Sequence, residues 1–134
     1  MSAADSHIST GIADLDQRLG GLSVGDNVIW YDAAGSLVPP FAARFIDTSL
    51  AQGKALIYVS FDRSPRTLIQ DLGPLADVSH LTILDCFTEG KGEGSTLFRQ
   101  FYAEGGQPRR CRVVSVEAPD QPESVIRAVY TVHQ

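Results

Sequence analysis

The stretch Val24-Gly-Asp-Asn-Val-Ile-Trp-Tyr31, Asp32-Ala-Ala-Gly-Ser-Leu-Val-Pro-Pro40, Phe41-Ala-Ala-Arg-Phe-Ile-Asp-Thr-Ser-Leu50 decides how this chain is read. An apolar strand, a loop of small residues and an amphipathic helix follow one another, the layout in which proteins hold a nucleotide phosphate. That chemistry needs Gly-x-x-x-x-Gly-Lys-[Ser/Thr], because backbone N–H groups wrap the phosphates, lysine neutralises them and the hydroxyl holds magnesium. Laid over this pattern without a gap, Asp32 takes the first glycine position, Leu37 the second, Val38 the lysine position and Pro39 the hydroxyl position. Inside the loop, Gly35 and Ser36 still suit a phosphate cradle.

The substitutions work against phosphate on separate grounds. Asp32 sets a carboxylate where phosphate oxygens would lie, and like charges in a partly desolvated site repel. Val38 carries no charge. Pro39 has neither hydroxyl nor N–H, and Pro40 deletes the next amide, so the helix start loses donors that normally make it an anion site. Proline is nonetheless welcome in a first helical turn. The strand-turn-helix is kept while its ligand chemistry is removed, and ATP and magnesium are not expected as cofactors.

Working outward, Ser9-Thr10-Gly11-Ile12 opens a short helix over 13–19, ended by Gly20-Gly21, and residues 1–8 read as a flexible N-terminus. The run Asn27–Tyr31 reads as a strand buried on both faces of a parallel sheet. The helix over 39–51 places Phe41, Ala42, Phe45, Ile46, Ser49 and Leu50 on one side and Arg44, Asp47 and Thr48 on the other. Residues 55–61 read as the next strand, completing a right-handed βαβ unit. Ser64 caps a helix starting at Pro65 and running to about Leu72. Strands follow over 81–85 and 111–116. Between them, 88–95 reads as a mobile surface loop and 96–104 as a helix. A last helix carries an apolar stripe of Val125, Ile126, Val129 and Tyr130.

The chain has 134 residues, a net charge of −5 and 43% hydrophobic residues, the profile of one ordinary soluble domain. Its acidity speaks against nucleic acid as a partner, and the cluster Arg109, Arg110 and Arg112 reads as a solvated turn. Cys86 and Cys111 lack metal-type spacing and read as free thiols of a reducing compartment. The start of the chain, without a basic segment or an apolar core, does not read as a signal peptide, and no apolar run approaches the ~18 residues of a membrane helix. A cytoplasmic location is expected. His7, His80 and His133 are scattered. Trp30 and Tyr31 stand where they could line a pocket, although aromatic residues there more often pack a core.

Ser9-Thr10-Gly11-Ile12, Leu15-Asp16, Leu19-Gly20-Gly21, Gly25, Phe45, and Tyr58-Val59-Ser60-Phe61 before Ser64-Pro65 together resemble the KaiC-like branch of the RecA-type P-loop ATPases. The likeness covers residues 8 to 73 by motif and the remainder only by order of elements. It implies an α/β fold with a mostly parallel sheet and flanking helices, a RecA-like P-loop NTPase core occupying residues 9–134. It makes Asp32, Gly35, Ser36, Leu37, Val38 and Pro39 a degenerate nucleotide loop. The family's paired acidic residues at the end of the Tyr58–Phe61 strand correspond here to Asp62-Arg63, leaving Asp62 as a remnant carboxylate, a general base or one partner of a strand-end salt bridge. Val113–Glu117 resembles the family's metal-associated strand. Family order, however, sets that strand after the helix ending near Gln134, which implies an N-terminal portion of a longer domain, incomplete at the C-terminus, in preference to a complete miniature one. The implied function is a non-catalytic pseudo-ATPase acting in assembly or signalling, with a protein partner or a second copy at the old nucleotide cleft. The alternatives are a weak ATPase with an unorthodox loop, and a regulatory domain binding another small molecule in the remnant cleft.

Overall fold

The structure, a computed structural model, describes residues 7–35, 38–94, 96–97 and 110–134. The chain divides into two compact units, Met1–Lys54 and Ala55–Gln134.

In the first unit, β1 (His7–Ile8) pairs antiparallel with β2 (Leu22–Ser23) around α1 (Ala13–Leu19). His7 and Ile8, expected in the flexible terminus, are thus held in a ladder. Gly20 ends α1 in the left-handed conformation, φ 74°, as the Gly-Gly pair predicts. Ser9 and Thr10 do more than open the helix. The Ser9 hydroxyl donates to Asp16 Oδ2, and the Thr10 N–H and hydroxyl both donate to Asp16 Oδ1 at 2.7 Å. These donors, Ser9 first, hold the Asp16 carboxyl below its ordinary value. Gly11, at φ 88°, lies so close to α2 (Val38–Ala51) that a Cβ there would sit 2.6 Å from the Arg44 carbonyl carbon. The spacing predicted for α2 is observed: Ile46 and Ser49 are buried, Arg44 and Asp47 exposed.

One expectation fails. Residues 27–31 belong to neither sheet and have no regular secondary structure. Ile29 and Tyr31 are each 91% exposed. A continuous apolar run favours an extended chain, but a strand exists only when a neighbour takes its hydrogen bonds. Here Trp30 stacks on Phe41 of the following helix instead, ring centroids 4.8 Å apart. The βαβ unit expected around this run is therefore not formed.

In the second unit, β3 (Leu56–Ser60), β4 (Leu81–Asp85) and β5 (Arg112–Ser115) make a parallel sheet in that order. The middle strand β4 is almost wholly buried. Ser64 caps α3 (Pro65–Leu72), its hydroxyl accepting the Thr67 N–H at 3.2 Å. Leu84, Cys86 and Val116 form a core against Val125, Ala128, Val129 and Val132 of α4 (Pro122–His133). This corrects the predicted stripe: Ile126 and Tyr130 are 55% and 69% exposed, because small Ala128 and terminal Val132 complete the buried face. Residues 89–94, expected as a mobile loop, are two 3-10 turns joined at Gly92. Their anchor lies just outside the glycine-rich stretch, where the Lys91 ammonium sits 4.1 Å from the Phe87 ring centre. The helix expected over 96–104 lies outside the described residues beyond Leu97, as do Ser36, Leu37, Ser95 and Arg109. The fold is α/β, a three-stranded parallel sheet with flanking helices.

Candidate functional site: a self-capped loop and an apolar cavity

The loop after Tyr31 starts with an aspartate, a residue whose short side chain reaches amides two or three positions on. Asp32 does this fully. Its Oδ1 accepts the N–H groups of Ala34 and Gly35, each at 3.0 Å, and its Oδ2 accepts the Val38 N–H at 3.2 Å. Gly35 takes φ 69°, a left-handed conformation that closes the turn. The next two positions, Pro39 and Pro40, have no N–H to offer. Among the described residues before and at the start of α2, the Ala34, Gly35 and Val38 amides are thus bound to a carboxylate of the chain itself, and Pro39 and Pro40 have none to give. That carboxylate also sits favourably at the positive end of the helix. Of the residues read as the degenerate loop, Asp32, Gly35, Val38 and Pro39 come together here. Asp32 acts as an acceptor of loop amides, a role the overlay on a phosphate pattern did not reveal, though the Asp-x-x-Gly spacing is its signal.

Asp62 and Arg63 lie in the second unit, just past β3. Asp62 Oδ2 is 3.5 Å from Arg63 Nε with the carboxylate 73% exposed, and Arg63 Nη1 donates to Asp71 at 3.0 Å. A parallel sheet offers ligands its carboxyl edge. At that edge Ser60, Asp85 and Ser115 stand side by side in register. Asp85 is buried, and its carboxylate accepts the Phe87 and Thr88 N–H groups at 3.0 Å and the Thr88 hydroxyl. The Ser60 hydroxyl donates to the Arg63 carbonyl at 2.7 Å. The Ser60 and Asp85 side chains are thus spent on holding loops, while Ser115 is exposed. Asp85 was not marked by the sequence as a candidate, and its place before Cys-Phe-Thr in a strand end is the turn signal. Glu117 is exposed beyond β5, followed by Ala118 at φ 51°.

A cavity of about 390 Å³ opens within the first unit. Trp30 and Phe41 form one wall, and Ile8, Leu22, Val28 and Phe45 complete most of the rest. Tyr31, read with Trp30 as able to line a pocket but more often a core residue, does neither and is turned out to solvent. Among the described residues no group of three His, Cys, Asp or Glu could hold a metal ion, and no buried side-chain nitrogen or oxygen lacks a hydrogen-bond partner. Cys86 and Cys111 are buried and outside any disulfide, and burial, then the Asp85 charge, pushes the Cys86 thiol up. No helix among the described residues is long and apolar enough to cross a membrane. No family model, curated protein or solved structure matches this chain.

Proposed function

We propose that this chain is a non-catalytic, KaiC-like pseudo-ATPase domain that acts in protein assembly or signalling regulation. The observation that carries the reading is the Asp32 carboxylate bound to the amides of Ala34, Gly35 and Val38. A nucleotide would have to displace a tethered anion from these donors, bring its own negative charge beside it, and do so with no lysine at Val38 and no hydroxyl at Pro39. The ATP-binding alternative needs all these losses compensated at once. A contact role is supported by the apolar run Val28–Tyr31, since exposed apolar patches on soluble proteins mark interaction sites. The partner is another protein or a second copy of the chain.

The test is titration of the full chain with a fluorescent ATP analogue and magnesium to millimolar concentration, with sedimentation at several protein concentrations alongside. No saturable binding, with association that the substitution of Ile29 and Tyr31 by serine weakens, is expected. Saturable binding that tightens with magnesium would overturn the proposal.

A further inference from the structure

The cavity of the first unit has a composition that selects its occupant. Its volume of about 390 Å³ falls in the range of roughly 300–1,000 Å³ typical of small-molecule sites. The wall combines the stacked Trp30–Phe41 pair, rings inclined by 15°, with aliphatic side chains. Among the described residues that line it, Asp26 is the only ionisable side chain, and no lysine, arginine or histidine does so. The hydroxyl side chains of the wall are those of Thr10 and Ser23. The Thr10 hydroxyl donates to Asp16 and accepts the Ile12 N–H at 3.2 Å. Asp26 Oδ2 accepts the Ser23 N–H at 2.8 Å, while Oδ1 has no hydrogen bond among the described residues.

An aromatic wall welcomes a flat apolar group, and a lone carboxylate welcomes a donor that is preferably cationic. The same carboxylate repels an anion, with nothing on the wall to offset it. We infer that the cavity binds a small aromatic amine, its ring against Trp30 and Phe41 and its ammonium at Asp26. The inference does not rest on the pseudo-ATPase reading, although Val38, whose amide Asp32 accepts, also lines the cavity.

Trp30 is the chain's only tryptophan, so its emission reports on the wall directly. The experiment titrates the full chain with three isosteric, non-fluorescent probes: 4-phenylbutylamine, 4-phenylbutan-1-ol and 4-phenylbutyrate. The expected result is a saturable change in Trp30 emission with affinity in the order amine, alcohol, carboxylate, and at least tenfold between the first and last. Asp26→Asn keeps an oxygen for the Ser23 amide, and is expected to bring the amine down to the affinity of the alcohol while leaving the alcohol unchanged. Linear, unsaturable quenching by all three probes would overturn the inference. So would a carboxylate that binds as well as the amine, or an Asp26→Asn chain that still prefers the amine. Since no probe is a nucleotide, failure here leaves the ATP titration to be judged by itself.

Discussion

Replacing Gly11 by alanine probes the tightest approach in the first unit. At φ 88°, any L side chain is strained, and the added Cβ would lie 2.6 Å from the carbonyl carbon and oxygen of Arg44 and 2.8 Å from the Phe45 nitrogen. These are backbone atoms within α2 and cannot swing aside. Gly20 provides the matched control. It has φ 74°, and a Cβ there meets nothing within 4 Å. Left-handed alanine costs about 1–2 kcal/mol at either site, and overpacking against a fixed neighbour adds about 1–3 kcal/mol at Gly11 alone. Gly20→Ala is therefore expected to lose about 1–2 kcal/mol and Gly11→Ala about 2–5 kcal/mol. Urea denaturation followed by Trp30 emission reads the unit that contains both glycines. If the two variants unfold within about 0.5 kcal/mol of each other, the close packing of Gly11 on α2 is refuted, since the overpacking cost of about 1–3 kcal/mol would then be missing.

Two further outcomes follow from local geometry. Because Ser9 and Thr10 depress the Asp16 carboxyl, the stability it contributes is complete above the ordinary value of 3.8 and is lost as pH falls through the folded-state value. Asp16→Asn should cost about 1–3 kcal/mol near neutrality, the worth of hydrogen bonds to a charged group, and its stability curve should converge on that of the parent chain as acid is added, in denaturation measured from pH 6 downwards. Ala118 holds φ 51° on an exposed turn, so Ala118→Gly should raise the melting free energy by up to about 1 kcal/mol, and calorimetry showing a loss would contradict the strain.

What could be read from the residues depended on whether local pattern decided the outcome. The period of α2 was legible because Phe45, Ile46 and Ser49 repeat at helical spacing whatever they pack against. Leu81–Asp85 was legible because so continuous a run, bounded by turns, has few other fates. The same logic misjudged Val28–Tyr31: a run of that type sets an extended preference, while the presence of a neighbour to pair with is a property of the whole chain. In α4 the positions of Ile126 and Tyr130 suit a buried stripe as well as Ala128 and Val132 do, and the sheet chose the smaller pair. Asp32 read as an obstacle to phosphate, and the structure shows in addition where its oxygens go. The cavity has no linear signature, since Ile8, Leu22 and Phe45 meet only through the fold.

The uncovered run after Asn27 has a consequence for how this protein keeps in solution. Four consecutive large apolar residues, two of them almost wholly in water, form the kind of segment that seeds cross-strand aggregation. Carboxylates bracket it, Asp26 on one side and Asp32 on the other. Placed there, the two negative charges act as gatekeepers: stacking the segment in register on another molecule would bring like charges together at both of its ends.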